Sequence, residues 1–449
     1  MADKRLKISV YAIMKDEEQF FDRWIASMWD GGNGADEICV LDTGSKEGWR
    51  ELLCDSARKF GMPEDKLILD QKIYSPWRFD TPRNDSMKLI SDDADICICT
   101  DLDEVLESGW GAELRRVAEE NPTAGQFYYY YAWNNDSDTG EPKRYFWYNK
   151  CHRHPRYGVE WKYPVHETLT YTDIYRKMFP DSARMSDQTI WLRHYPDSTK
   201  SRGSYLGLLE LRAQESPEDM YGLFYLAREY ASYHKWERAI QWASYLLARI
   251  RITGNDDMLM EPALYVLLGD CYDAIGSNDD CEFCYREAIK KYPTYRDAYI
   301  QLAQKLAYSN RPAECFEILA EMEDNSVRIP DWRNLDYMWR DWKVRQIRAD
   351  ALMWMRKYKE AMQELEAGLA DIKTSDDKYE AERANFYADY NFCVNKLIKM
   401  QNTQKENNSE SNYSEEQHDD SAIVQPRPRT ASEDASRPES KGEASADQR

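Results

Sequence analysis

The sequence lacks three features that would assign it to a broad class at once. It contains no uninterrupted run of about 18 apolar residues, so we expect no integral membrane contact. It has no excess of positive charge, because 60 Lys and Arg stand against 81 Asp and Glu. The resulting net charge of -21 argues against a nucleic-acid partner, which requires neutralisation of phosphates. The first residues have no apolar signal-peptide core, and we therefore expect a cytoplasmic protein.

Paired cysteine motifs are also scarce. The ten cysteines are scattered along the chain, several of them inside apolar strand or helix patterns. This distribution indicates reduced, buried thiols rather than a disulfide framework. Cys281 and Cys284 form a CxxC pair without a second pair to complete a zinc site, so we expect no zinc there.

What the sequence does contain, over residues 1–105, is an alternation of strand and helix patterns. Strands are predicted at KISVYAIM, EICVLDT, KLILDQ and ADICICT, and the helix before the last of them is predicted over Arg83–Ser91. Such alternation produces a parallel sheet whose ligands bind beyond the carboxyl ends of the strands. Three polar clusters are predicted to converge at that edge: Lys15-Asp16-Glu17, Asp42-Thr43-Gly44-Ser45 and Asp101-Leu102-Asp103-Glu104.

The third cluster is the most informative one. Asp101 and Asp103 are two positions apart at a strand end, so both carboxylates can point to one side of the chain. That arrangement suits a hard divalent cation that keeps open positions for a diphosphate. A solvated turn or a helix N-cap explains the same residues equally well. The motif alone leaves these interpretations open.

Residues 120–200 have a different character. The segments GQFYYYYAWNND and RYFWYNK are aromatic and β-prone, which predicts antiparallel strands added to the sheet. Their Trp and Tyr side chains supply either core packing or a sugar-stacking surface. Four of the six histidines follow, in CHRHPRYGVEWKYPVHETL and DQTIWLRHYPDS.

From about Ser204 the pattern becomes helical and repetitive. Units begin near positions 223, 265, 299 and 345, a spacing compatible with tetratricopeptide repeats of roughly 34 residues. Small side chains, which permit close approach of two helices, recur in pairs twelve positions apart: Ala227/Ala239, Gly269/Cys281, Ala303/Cys315 and Ala349/Ala361. After about Met400 large apolar residues nearly disappear, which predicts a disordered acidic tail.

Six motifs, taken together and in order, resemble those of the family 2 glycosyltransferases. They are AIMKDEEQFFDRWIAS, ADEICVLDTGSKEG, WRFDTPRNDSM, DICICTDLDEVL, PVHETL and IWLRHYPD. The resemblance covers about residues 6–400, although Lys15-Asp16-Glu17 departs from the family's usual Lys-Asn-Glu. It implies an α/β GT-A catalytic domain with a Rossmann-like mixed sheet over 1–203, an all-α tetratricopeptide-like helical repeat domain over 204–400, and the tail over 401–449.

The resemblance implies that one set of residues binds a nucleotide sugar. Without it, Asp42 fits an Asx turn with the residues that follow, and Arg83 fits a surface ion pair. The implied nucleotide-sugar-binding residues are Ala12, Lys15, Glu17, Asp42, Arg83, Asp101 and Leu102.

The resemblance also implies metal ligands and a catalytic base. Asp101 and Asp103 would bind Mn²⁺ or Mg²⁺, with His194 as a third ligand from late in the domain. Glu167 would take the proton from the acceptor hydroxyl, and His166 would orient it. From the residues alone, both histidines also fit ordinary packing.

Together with these residues, the resemblance implies a metal-dependent, inverting glycosyltransferase. The donor would be a nucleoside-diphosphate sugar, with a UDP-sugar favoured, and the acceptor a hydroxyl of a protein, peptide or saccharide. The repeat domain would bind the acceptor or join copies of the chain into a homo-oligomer. A non-catalytic repeat protein with a vestigial transferase domain and a nucleotidyltransferase stay open as alternatives. The intact acidic set counts against the first, and the lack of a Gly- and Arg/Lys-rich phosphate loop counts against the second.

Overall fold

The structure is a computed structural model that describes residues 5–135, 142–185, 190–195, 203, 205–254, 257–327, 341–372 and 380–410. An α/β region comes first, and a region made of helices follows. The strands are β1 (Ile8–Met14), β2 (Glu37–Asp42), β3 (Leu67–Gln71), β4 (Ile96–Cys99), β5 (Glu104–Leu106), β6 (Ala124–Asn135), β7 (Pro142–Arg153), β8 (Val159–Lys162), β9 (Thr168–Tyr171), β10 (Asp181–Arg184) and β11 (Trp191–His194).

The main sheet is mixed and has the order β3-β2-β1-β4-β7-β6-β11-β5, with β10 paired to β6. Its first four strands are parallel, as predicted, and β7 joins β4 in the antiparallel direction. Every residue of β1, β2 and β4 is buried, because helices or loops cover both faces of these strands. The aromatic strands β6 and β7 pair antiparallel, which confirms their predicted addition to the sheet. Strands β8 and β9 form a separate hairpin.

Helices α1 (Phe21–Trp29), α2 (Trp49–Lys59), α3 (Asp80–Ser86), α4 (Trp110–Glu120) and α5 (Asp173–Met178) accompany these strands. On one side of the sheet, Trp24 and Trp110 are fully buried with the apolar residues of β1, β2 and β4. The helix predicted over Arg83–Ser91 begins three residues earlier, at Asp80. Pro82 is compatible with the first turn, and a short 3₁₀ turn replaces the predicted end of the helix.

The second region consists of α6 (Tyr205–Glu215), α7 (Met220–Ser232), α8 (Trp236–Thr253), α9 (Met260–Ala274), α10 (Asn278–Lys291), α11 (Arg296–Tyr308), α12 (Pro312–Asn325), α13 (Asp341–Trp354), α14 (Tyr358–Asp371) and α15 (Glu380–Glu410). Helices α7 to α14 form four successive pairs, which confirms the predicted helical hairpins. All of the predicted small positions are buried.

Helix α15 corrects the predicted boundary of the tail. The tail is predicted over 401–449, but α15 continues to Glu410. Residues 411–449 lie outside the described part of the chain. Of the ten cysteines, which are all free thiols, nine are buried. Among the described residues, no helix combines the length and apolar character needed to span a membrane.

Replacing Gly269 with Ala is expected to destabilise the helical region by about 1–3 kcal/mol. A Cβ at Gly269 would lie 2.3 Å from the ring of Tyr285, which is buried and held by a hydrogen bond to Asp270. Gly207→Ala is the matched control, because a Cβ at this exposed helical position meets nothing within 4 Å. Urea unfolding followed by circular dichroism measures both variants. Equal stabilities for the two would contradict this packing account.

Candidate functional site

The end of β2 forms a closed hydrogen-bonded turn. The carboxylate of Asp42, which is fully buried, accepts hydrogen bonds from the amides of Gly44 and Ser45, from the Ser45 hydroxyl and from Nε2 of Gln71. Asp42 therefore forms the Asx turn that the sequence offered as an alternative, and its predicted contact with a nucleotide stays a prediction. A cleft of about 620 Å³ opens beside this turn, lined by Ser45, Lys46, Glu47, Gly48, Trp49, Glu51 and Gln71.

The end of β1 lies directly beside that turn. The amide of Asp16 donates to Oγ of Ser45 at 2.8 Å, and the amide of Lys46 donates to Oδ1 of Asp16 at 3.0 Å. Lys15 is exposed and Glu17 is half-buried at this edge. Ala12, in contrast, is fully buried within β1. Its predicted contact with the nucleotide stays a prediction, and the buried side chain leaves only its backbone atoms to make one.

The end of β4 carries an acid cluster, which we define as Asp101, Asp103, Glu104 and the more distant Glu167. Arg83 of α3 donates from Nη2 to Oδ1 of Asp101 at 2.8 Å and from Nε to Oε1 of Glu167. One buried guanidinium, 5% exposed, thus joins two of the predicted site residues. The structure places Arg83 inside the site and not in a surface ion pair.

Lys150 of β7 contacts two acids of the same cluster. Its Nζ lies 2.9 Å from Oδ2 of Asp101 and 3.0 Å from Oε1 of Glu104. Oε2 of Glu104 also accepts a hydrogen bond from the amide of Asp101 at 2.8 Å. The side chain of Glu104 is 1% exposed and that of Lys150 is 6% exposed. Lys150 follows Phe146 and Tyr148 at a two-residue spacing along β7, and the sequence pattern did not single it out.

The charges of this cluster separate the pKa values of the half-buried Asp101 and the buried Glu104. Burial raises the pKa of Asp101, but Arg83 and Lys150 outweigh that effect and hold it far below its ordinary value. Burial also raises the pKa of Glu104, and there it prevails over the attraction of Lys150. The pKa of Lys150 is lowered by burial but raised more strongly by Asp101 and Glu104, and it lies well above its ordinary value.

Asp103 and His194 form a second pair in the cluster. Strand β11 pairs antiparallel with β5 and brings Nε2 of His194 to 3.1 Å from Oδ2 of Asp103. The His194 ring also stacks against Tyr131 with a centroid distance of 5.9 Å. Leu102, between the two acids, is fully buried in the core. Its predicted contact with a nucleotide sugar stays a prediction.

His166 packs against the helical region. Its ring stacks on Tyr225 of α7 at a centroid distance of 4.0 Å and an angle of 8°. This contact favours the packing interpretation of His166 over an orienting role toward Glu167. The direction of the ring depends on how the helical region meets the 163–167 segment, and no local sequence pattern specifies that.

The divalent cation predicted for this cluster stays a prediction. Among the described residues, no group of three or more His, Cys, Asp or Glu side chains is arranged to hold a metal ion. Mg²⁺ sites commonly use one or two protein carboxylates together with substrate phosphates and water. Asp103 and His194 are adjacent and provide two suitable ligands. Both oxygens of Asp101 are already engaged by cations, so its direct coordination of a metal finds no support in this geometry.

Comparisons with known proteins give limited information. No family model matches the chain, and no curated protein matches it either. Among solved structures, the S. aureus TarS 1-349 complex with UDP-GlcNAc is 13% identical and covers 71% of this chain and 89% of its own, with a TM-score of 0.34. The tetratricopeptide-repeat protein TTC0263 of Thermus thermophilus is 16% identical and covers 43% of this chain and 90% of its own, with a TM-score of 0.32. TM-scores of this size support no conclusion for this chain.

Proposed function

We propose that this protein is a metal-dependent, inverting glycosyltransferase of GT-A type. It transfers a sugar from a nucleoside-diphosphate sugar, with a UDP-sugar favoured, to a hydroxyl of a protein or a saccharide. The observation that carries the proposal is the acid cluster at the carboxyl edge of parallel strands. There Asp103 pairs with His194, while Arg83 joins Asp101 to Glu167. Ligands of open α/β sheets bind at this edge.

Donor binding requires groups that tolerate a diphosphate. Asp103 and His194 would hold Mn²⁺ or Mg²⁺, which when bound supplies charge stabilisation for the departing diphosphate. Arg83 and Lys150 neutralise Asp101, and this reduces the repulsion that a second anion would meet at the cluster. Lys15, which is exposed at the end of β1, adds a positive charge at the same edge.

Transfer requires a base on the acceptor side. Nε of Arg83 donates a hydrogen bond to Oε1 of Glu167. Within the described part of the chain, Oε2 of Glu167 accepts no hydrogen bond. In the proposed reaction the acceptor oxygen bonds to the anomeric carbon as the bond from that carbon to the diphosphate oxygen breaks. The electron pair leaves with the diphosphate, and the acceptor proton moves to Glu167. Attack opposite the leaving group inverts the anomeric configuration.

Asp103→Asn is expected to remove donor binding and to lower turnover by about 10³-fold, since metal-ion charge stabilisation contributes several kcal/mol. Thermal unfolding with UDP-, GDP- and dTDP-sugars and Mn²⁺ measures binding, because a ligand at one hundred times its Kd stabilises the fold by about 2.7 kcal/mol. Asp181→Asn, an exposed acid on β10, is the control and should behave like the natural protein.

The same assay distinguishes the alternatives. If no nucleotide sugar raises the unfolding temperature, the result supports the non-catalytic repeat protein. If a nucleoside triphosphate is consumed with release of pyrophosphate, the result supports the nucleotidyltransferase. Either outcome overturns the proposed function.

A further inference from the structure

The segment Tyr163–Glu167, which we call the base loop, joins β8 to β9 and ends at the proposed base. Its backbone is left-handed at Tyr163, with φ of 87°, and at His166, with φ of 48°. A residue other than glycine keeps a left-handed backbone conformation where contacts with its surroundings stabilise it. The contacts that hold the base loop are therefore informative about its role.

Arg212 of α6 supplies several of these contacts. Its Nη1 donates to the carbonyl oxygens of Val165 at 2.9 Å and His166 at 2.7 Å. Its guanidinium carbon lies 3.8 Å from the centroid of the Tyr163 ring. The His166 carbonyl belongs to the peptide group that ends at the nitrogen of Glu167. The hydrogen bond from Arg212 therefore holds the peptide plane between His166 and Glu167, and this orients the Glu167 side chain.

The turn between α6 and α7 is shaped around this guanidinium. Arg212 is 1% exposed, and its Nε donates to Oδ2 of Asp219 at 2.6 Å. A Cβ at Gly222 would lie 2.5 Å from that oxygen and 2.6 Å from Nε of Arg212. The absence of a side chain at Gly222 thus leaves space for the ion pair. These contacts restrict the orientation of the buried Arg212 side chain, and its guanidinium group points toward the base loop.

Two further contacts hold the base loop from either side. The amide of Phe79, just before α3, donates to the Pro164 carbonyl at 2.9 Å. The ring of His166 stacks on Tyr225 of α7. The loop therefore lies between the helix that carries Arg83 and the helical region.

We propose that Arg212 is a positioning residue of the transferase site. It fixes the base loop so that Glu167 meets Arg83 and the acceptor hydroxyl, and it makes the helical region a required part of the active site. This inference rests on the proposed function, in which Glu167 is the base. A displacement of about 1 Å can lower a rate by about 10²-fold, so loss of this contact is expected to act on catalysis.

The test compares Arg212→Met with the double variant R212M/D219L, which removes both charges and leaves no unpaired carboxylate. In each, kcat per folded molecule is expected to fall about 10–100-fold while the KM for the nucleotide sugar stays within about twofold. Arg212→Lys keeps the positive charge and is expected to recover part of kcat. Arg251→Met is the control, because Arg251 contacts Tyr265 inside the helical region and not the base loop. An unchanged kcat in both Arg212 variants overturns the proposal.

Two additions keep the test decisive. If both Arg212 variants fail to fold, Gly222→Ala displaces the ion pair without removing it and is expected to show the same fall in kcat. Hydrogen exchange of a peptide covering the base loop is expected to be faster in Arg212→Met than in the Arg251 control, and equal exchange overturns the positioning role. If the natural protein turns over no nucleotide sugar, the proposed function fails, and the exchange measurement alone decides whether Arg212 holds the loop.

Discussion

Glu167→Gln is expected to lower sugar transfer by about 10²–10⁴-fold, the range that a positioned general base contributes. The amide keeps the size of the side chain and can still accept a hydrogen bond from Arg83, but it cannot take the acceptor proton. The KM for the nucleotide sugar should therefore remain close to that of the natural protein. Steady-state kinetics with the identified donor measures both quantities.

Two further variants make this prediction specific. Glu160→Gln is a matched control, because Glu160 is an exposed acid on β8 only a few residues before the base loop. It should leave kcat unchanged. Glu167→Asp keeps a carboxylate but withdraws it from the acceptor, so its kcat should lie between those of Glu167→Gln and the natural protein. If Glu167→Gln transfers sugar at the natural rate, the base lies elsewhere.

Lys150→Met is expected to destabilise the α/β region by about 3–5 kcal/mol, the cost of removing one partner from a buried charge cluster. Lys150 is the common partner of Asp101 and Glu104, and Glu104 is almost fully buried. Without the ammonium group, two neighbouring carboxylates would share a site with Arg83 as their remaining cation. Urea unfolding at neutral pH measures the loss.

A double variant and a surface control isolate the cause. Adding Glu104→Gln to Lys150→Met removes one of the repelling charges and should recover part of the stability. Lys88→Met removes an exposed lysine that pairs with Asp85, and such surface pairs contribute about 0–1 kcal/mol. If Lys150→Met lowers the free energy of unfolding no more than Lys88→Met does, Lys150 does not balance the charge of the two carboxylates.

The sequence predicted the position of the site because parallel strands bring their carboxyl ends to one edge. The ends of β1, β2 and β4 do converge as expected, and Asp16 and Ser45 hydrogen-bond across two of them. His194 was also predicted near Asp103, and it is. Hydrophobic patterns locate buried strands well, and the residues that follow those strands are then placed by topology.

The sequence did not predict the partners that balance and hold the site. Lys150 lies 49 positions from Asp101, and their contact depends on the register between β4 and β7 within an aromatic strand. The contact of Arg212 with the base loop depends on how α6 packs against that loop, and this packing joins the α/β region to the helical region. For the same reason the sequence could not decide the direction of the His166 ring. Asp42 shows the opposite case, since a local Asx-turn signal was present and the structure follows it.

In the proposed function, the acid cluster releases a nucleoside diphosphate from a nucleotide sugar. The most direct measurement is nucleoside diphosphate release by the natural protein and by Asp103→Asn, with Mn²⁺ and then with excess chelator. We expect release from one nucleotide sugar, and we expect both the chelator and the substitution to abolish it. Release that persists in both conditions, or no release from any nucleotide sugar, would contradict it.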